Sequence, residues 1–404
     1  MGLASLGAIA RPRIGRTSTG GPNQRPRYFL VVYLGGGIDQ ILTTDPKKRS
    51  EIAPTTNRPY EDRDIIHEGG LRLGPFMAPM KRHAKRLTII NGIVTATVSH
   101  QTGALQHSRM KVGAEFEMPA IADLIGLYRD TQVLPSVNLG DADEYTHTST
   151  WFGSPTSPAD KIGLLDELGA LSNDELLMLA EEVETGRAVF STYPGARAHV
   201  AVDNLNATAK LLRRLSEVPR FAEEKWSDDP MAQWYAKNFQ QSLWLFQHDL
   251  CRTVYMRTAR IIFDTHFNNT QLQQIYCNQY FEMFARFLDV VETMSLAGAP
   301  AREQLLLVAS SEVGRHPRLN TNAGKDHFPE APAILYGAGL RPGQFVDTGR
   351  ETEAFPVDLA TGRKQRGGHV ITLDDIGATM LELAGVDYQR YGHRGRPLQF
   401  ALAK

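Results

Sequence analysis

The stretch at 305–327, LLLVASSEVGRHPRLNTNAGKDH, constrains this chain more than any other. It opens on five apolar residues without polar alternation, Leu305 to Ala309. Such a run suits a strand buried on both faces of a parallel sheet. It then breaks into Ser310-Ser311-Glu312-Val313-Gly314-Arg315, which sets a carboxylate and a guanidinium where a buried strand ends. In open α/β sheets the carboxyl ends of the strands form the ligand crevice. Asp326-His327 follows, just before a second apolar run at 333–336. Acid and imidazole groups therefore flank two consecutive strands.

Other segments send similar groups to strand ends. Residues 28–34 read as a buried strand ending in Gly35-Gly36-Gly37-Ile38-Asp39, where the glycines allow a tight turn and a close backbone approach. A helix is predicted over 75–86 and a strand over 87–90, followed by the polar segment 94–110 with Thr97, Ser99, His100 and Thr102. A helix is predicted at 117–128 and a short strand at 133–138. Strand character returns at 257–263, just before Asp264-Thr265-His266. A long amphipathic helix is expected at 271–294 and a further helix at 373–385, the latter stopped by Gly385. Between 150 and 250 the apolar spacing is helical at 161–169, 173–186, 202–217 and 229–251, with the aromatics Trp234, Phe239 and Trp244 read as packing. Strands alternating with helices imply an α/β fold with a mostly parallel sheet and helices on both faces. The domain expectation is a tail over 1–26, then one α/β domain over 27–404 with a helical insertion at about 150–250.

Composition narrows the function. A formal net charge of -1 gives no support for nucleic acid or a polybasic membrane contact. No apolar run is long enough for a transmembrane helix. Two cysteines, Cys251 and Cys277, make neither a disulfide framework nor a thiolate metal site; both fall in segments read as helical, and buried free thiols are favoured over a pair. The first ten residues are apolar and small, followed by Arg- and Gly-rich sequence, which reads as a flexible tail or as part of an export signal.

Carboxylates and imidazoles are the ligands that divalent metals use. Asp39, Asp264, His266, Glu312, Asp326 and His327 all lie at predicted strand ends and form the candidate metal set. A lone Asp after a strand is a common helix cap, Asp264-Thr265-His266 also fits an Asx-type turn, and Asp326-His327 alone fits a loop pair. Their shared placement is what favours a site. Ser99, His100 and Arg315 are the candidate catalytic residues: a hydroxyl nucleophile, a ligand or acid/base, and an oxyanion clamp. Each has a structural alternative: a cap for Ser99 or another hydroxyl of the segment, a buried imidazole for His100, and a pair with Glu312 for Arg315. His316 and His369 read as structural loop histidines.

The succession of Gly36-Gly37-Ile38-Asp39, Ser99-His100, Phe263-Asp264-Thr265-His266, Ser311-Glu312-Val313-Gly314-Arg315, Asp326-His327 and the helix LDDIGATML resembles the bacterial domain-of-unknown-function 1501 family. That family falls in the alkaline phosphatase/sulfatase-like superfamily. The resemblance runs from about residue 28 to 397 and is thin across 130–250. It implies a three-layer α/β sandwich and a two-metal site at the carboxyl edge of the sheet. Asp39, Asp264, His266 and His327 would be ligands there and Ser99 would fall at the nucleophile position. It also implies an export signal, often of twin-arginine type, and a periplasmic or secreted location. Superfamily enzymes usually carry Asp-His where this chain has Glu312-Val313. Glu312 can replace the acid, but Val313 ligates nothing, leaving His100, His316 or Asp326 to fill in.

The expectation is therefore an exported hydrolase of a small-molecule or polymeric phosphate or sulfate ester. It would use one or two divalent ions (Zn, Ca, Mg or Mn). The alternatives are a binding or assembly protein whose site has lost its metals, and an enzyme that moves phosphoryl groups to an acceptor.

Overall fold

A computed structural model describes residues 25–115, 118–126, 132–140, 168–193, 196–258 and 262–403. All but the last two residues of the expected tail, and the helix expected at 161–169 save its last two residues, lie outside these. The central sheet has seven strands: β1 (Tyr28–Tyr33), β2 (Leu87–Val94), β3 (Leu134–Leu139), β4 (Cys251–Arg257), β5 (Leu305–Ser310), β6 (Glu330–Gly337) and β7 (Gly343–Phe345). Their order is β7-β2-β6-β5-β1-β4-β3. Every neighbouring pair is parallel except those of β6, which runs against both β5 and β2. The sheet is thus mostly parallel, with helices on both faces.

The two faces can be read from β1, which is buried at all six positions. Tyr28, Leu30 and Val32 join one core with Phe239 and Phe284, from α5 (Pro230–Gln247) and α6 (Asn269–Thr293). Phe29, Val31 and Tyr33 join the other core with Ala104, Ile121 and Ile376, from α1 (His100–Arg109), α2 (Ile121–Gly126) and α7 (Leu373–Ala384). The period of two sends alternate residues to opposite layers, which is why such a strand reads as unbroken apolar sequence. α3 (Asn173–Phe190) and α4 (Ala196–Glu217) lie against each other in the segment before α5. α7 is closed by Gly385 in the left-handed conformation at φ 75.

Three sequence expectations shift. The strand expected at 257–263 is β4, six residues earlier, and the helix expected to reach Cys251 ends at Gln247. Asp249 adopts a positive φ of 54, which breaks the helix, and Thr253, Val254 and Tyr255 then favour extended backbone. Cys251 is therefore a strand residue, while Cys277 is helical; both are buried free thiols. Residues 75–86 form 3-10 turns broken at Met77 rather than a regular helix. Pro79 within that segment removes a donor and disfavours α-helix. Among the described residues no helix is long and apolar enough to cross a membrane.

Candidate metal centre

The direction of β6 makes the site. A strand that runs against its neighbours begins at the edge where they end. Residues that precede β6 therefore lie beside residues that follow β1, β2, β4 and β5. β1 delivers Gly35 to Asp39, β2 leads through Ser99 into α1, β4 leads to Asp264, and β5 ends at Ser311-Glu312. The loop before β6 supplies Lys325, Asp326 and His327, with His327–Phe328 paired to Gly314–Arg315 in a short antiparallel ribbon.

Three imidazoles converge on Asp264. His100 Nε2 lies 3.2 Å from Asp264 Oδ2, His266 Nε2 3.1 Å from Oδ1, and His327 Nε2 3.0 Å from Oδ1. Each ring is held through its other nitrogen by an oxygen that can only accept: Glu312 Oε1 at 2.7 Å for His100, Asp326 Oδ1 at 3.0 Å for His266, and the Val98 carbonyl at 2.6 Å for His327. Nδ1 is therefore the donor in all three rings, which leaves Nε2 with its lone pair facing the carboxylate in the neutral imidazole. His266 Nε2 and His327 Nε2 are only 2.9 Å apart. His100 Nε2 is buried and lacks a hydrogen-bond partner, the approach to Asp264 being poorly aligned. Acceptors gathered in this way need a proton or a cation between them. His100, Asp264 and His327 form a group that could hold a metal ion, and the orphaned His100 nitrogen fits one.

The electrostatics agree with a close-coupled site. Burial alone lowers the pKa of His100, but the carboxylates of Asp264 and Glu312 on either side outweigh it and raise it to about 9. Burial works to raise Asp264, yet His100, His327 and Arg315 hold it well below the usual carboxylate range.

The expected residues divide into three groups. Asp264, His266 and His327 come together, and His100 joins them. Glu312 and Asp326, expected as ligands, stand one step back and orient His100 and His266, an arrangement typical of partners to metal-bound histidine. Glu312 is fully buried and also accepts from Gly36 N at 2.8 Å. The glycine turn thus brings backbone to Glu312. Gly103 on α1 leaves room for it: a Cβ there would lie 2.9 Å from Glu312 Cβ and Cγ.

Asp39 and Arg315 depart from expectation. Asp39 Oδ2 accepts from Lys325 Nζ at 2.7 Å and Asn269 Nδ2 at 2.8 Å, and Oδ1 accepts from Ile41 N at 3.2 Å. With these partners and full burial, it is engaged away from the three imidazoles. Lys325 carried no signal beyond its place beside Asp326. Arg315 is likewise internal. Its Nε donates to the Gly37 carbonyl and Nη1 to the Lys325 carbonyl, while Nη2 donates to the Gly36 carbonyl and to Asp264 Oδ1 at 2.6 Å. A guanidinium so committed braces Asp264 rather than clamping an external oxyanion. Ser99 caps α1, its Oγ accepting from Thr102 N at 3.4 Å, and it is exposed directly before His100. His316 sits against Phe328, and its Nδ1 accepts from Arg318 N at 3.2 Å.

Residues 248–403 match the family described as "Protein of unknown function (DUF1501)". The DUF1501 match holds Asp264, His266, Glu312, Arg315, Lys325, Asp326 and His327, while Asp39 and His100 lie before it. No curated protein matches. Solved structures to which the chain is similar include the lipoteichoic acid synthase LtaP from Listeria monocytogenes (9% identity, 94% of this chain and 77% of that one, TM-score 0.45). A putative sulfatase from Bacteroides thetaiotaomicron shows 10% identity, with 94% and 75% covered and a TM-score of 0.42. An alkaline phosphatase PafA mutant shows 8% identity, with 94% and 99% covered and a TM-score of 0.45.

Proposed function

We propose that this protein is an exported, metal-dependent hydrolase of a phosphate or sulfate ester, working at the carboxyl edge of its sheet. The observation that carries the proposal is the convergence of three imidazole Nε2 atoms on Asp264, with every Nδ1 already donating to an oxygen. His100, Asp264, His266 and His327 would hold the ion. A divalent ion in such a site acidifies a water or hydroxyl and polarises an ester oxygen. Arg315 fixes the Asp264 carboxylate, and Glu312, Asp326 and the Val98 carbonyl fix the ring orientations. Ser99, exposed and directly before His100 in the chain, has the role of nucleophile in this reading. The ester class and the export come from the family resemblance.

Purified protein is expected to carry a divalent metal by elemental analysis and to turn over an aryl phosphate or aryl sulfate. His327→Ala should abolish both. Metal-replete protein without turnover of either ester sinks the hydrolase reading. A binding role for the same fold is favoured by one observation: Asp39, the ligand expected from the first strand, is closed by Lys325. That reading predicts a biological role that survives the Asp264→Ala/His327→Ala double change.

A further inference from the structure

The Asp39–Lys325 pair bears on how many ions this chain can take. Both side chains are wholly buried, with Nζ 2.7 Å from Oδ2. A buried carboxylate requires a counter-charge, and here the polypeptide provides it. The ammonium is held by the fold. Lys325 N donates to the Thr265 carbonyl at 3.0 Å, and the Lys325 carbonyl accepts from Arg315 Nη1 at 2.9 Å. Asn269 completes Oδ2, and Gln273 Oε1 accepts from Asp39 N at 3.3 Å.

The remaining charges point the same way. Around the imidazoles stand the carboxylates of Asp264, Glu312 and Asp326 and the guanidinium of Arg315. With neutral imidazoles these leave two negative charges, which one divalent ion balances and two do not. The donors that face inward are three imidazole nitrogens and one carboxylate. Imidazole suits zinc and its neighbours in the first transition row, whereas magnesium and calcium select oxygen ligands.

We propose that the centre takes one ion of the zinc–cobalt class, with Lys325 serving as a fixed internal cation that closes Asp39 to a second. The inference rests on the metal-binding part of the reading above and is independent of its catalytic part. It is tested by stripping the purified full-length chain with chelator and titrating it calorimetrically with Zn²⁺, Co²⁺, Mg²⁺ and Ca²⁺. One equivalent of Zn²⁺ or Co²⁺ is expected, with Co²⁺ giving visible d–d absorption, and at least 100-fold weaker binding of Mg²⁺ and Ca²⁺. The Asp39→Asn/Lys325→Met variant, neutral at both positions, should keep the one equivalent with its affinity within threefold. His100→Ala should lose at least tenfold. Two equivalents in the native chain, tight Mg²⁺ or Ca²⁺ binding, or loss of the equivalent in a folded Asp39→Asn/Lys325→Met chain overturns the proposal. If that variant does not fold, as judged by circular dichroism, the native stoichiometry decides alone. Failure of all four ions to bind removes the metal reading altogether. Binding of Zn²⁺ without ester turnover leaves this inference intact and removes only the hydrolase.

Discussion

His266 and His327 meet through their Nε2 atoms at 2.9 Å, while the Nδ1 atoms donate to Asp326 and to the Val98 carbonyl. Two neutral rings with this tautomer present lone pairs to each other, so the contact is repulsive until a proton or a cation enters. The two rings arrive by different routes. His266 follows β4, and His327 precedes β6, which in the central sheet runs against its neighbours. Removing the partner oxygen of one ring should therefore be felt as metal affinity rather than as fold.

Asp326→Asn tests this at the more exposed ring. The loss of a carboxylate behind a ligating histidine typically costs 10–100-fold in metal affinity. The expected result is a drop of that size in Zn²⁺ affinity, with the unfolding midpoint of the metal-free chain nearly unchanged. An unchanged affinity would remove His266 from the ligand set.

Glu312 should act in the same way on His100, and Gly103 gives an independent handle on it. Gly103→Ala places a methyl 2.9 Å from Glu312 Cβ and Cγ, closer than such atoms tolerate, so the acid must shift away from His100. Glu312→Gln and Gly103→Ala are expected to weaken Zn²⁺ by about tenfold or more each. Because both act through one hydrogen bond, combining them should cost much less than the sum. Additive losses in the calorimeter would count against a shared route.

Much of this is legible in the sequence. Leu305 to Ala309 announces a strand buried on both faces, and acids and imidazoles at strand ends mark the edge where a ligand would sit. Residue type alone does not say whether a carboxylate touches the ion or the ring behind it. Glu312 and Asp326 lie at strand ends like the other candidates, and only the direction of their side chains at the turn sets them behind His100 and His266. Lys325 carries no such mark in the sequence, since a lysine in a loop is ordinarily solvated. Only the register of β6 against β5, Ala333 beside Ser310, shows that this loop folds back over the end of β1.

Stability should depend on pH through a histidine outside the site. His107 is fully buried between Tyr255 Oη at 2.8 Å and Ser310 Oγ at 3.0 Å. Burial, with Arg257 nearby, pushes its pKa down to about 3. The folded chain thus keeps the ring neutral, whereas the unfolded chain takes up a proton below about 6.5. The unfolded state binds more protons between those values, so stability falls as pH drops from 6.5 toward 3, by at most about 1.4 kcal/mol per pH unit. Urea midpoints measured from pH 7 to 4 should decline, and His107→Gln should flatten the decline. Part of the slope should persist through His393, which burial and Lys111 lower to about 4. Parallel slopes in the two chains would show that His107 is not responsible.

The buried pair at Asp39 and Lys325 makes an opposite demand on single and double variants. Lys325→Met leaves Asp39 charged in the interior, with Asn269 and the Ile41 amide still donating to its carboxylate. Breaking one side of a buried pair typically costs about 3–5 kcal/mol, while replacing both partners by neutral groups is often close to neutral. Urea denaturation should therefore place Lys325→Met well below the native chain and Asp39→Asn/Lys325→Met between the two or level with the native one. The local consequence is distinct from the global one. Lys325 is next to Asp326 and His327, so the single variant should also speed amide exchange across 320–327, where the backbone is tied to His266 through Asn320. A single variant as stable as the native chain, with unchanged exchange in this loop, would mean that the pair neither stabilises the fold nor holds the loop that carries His327.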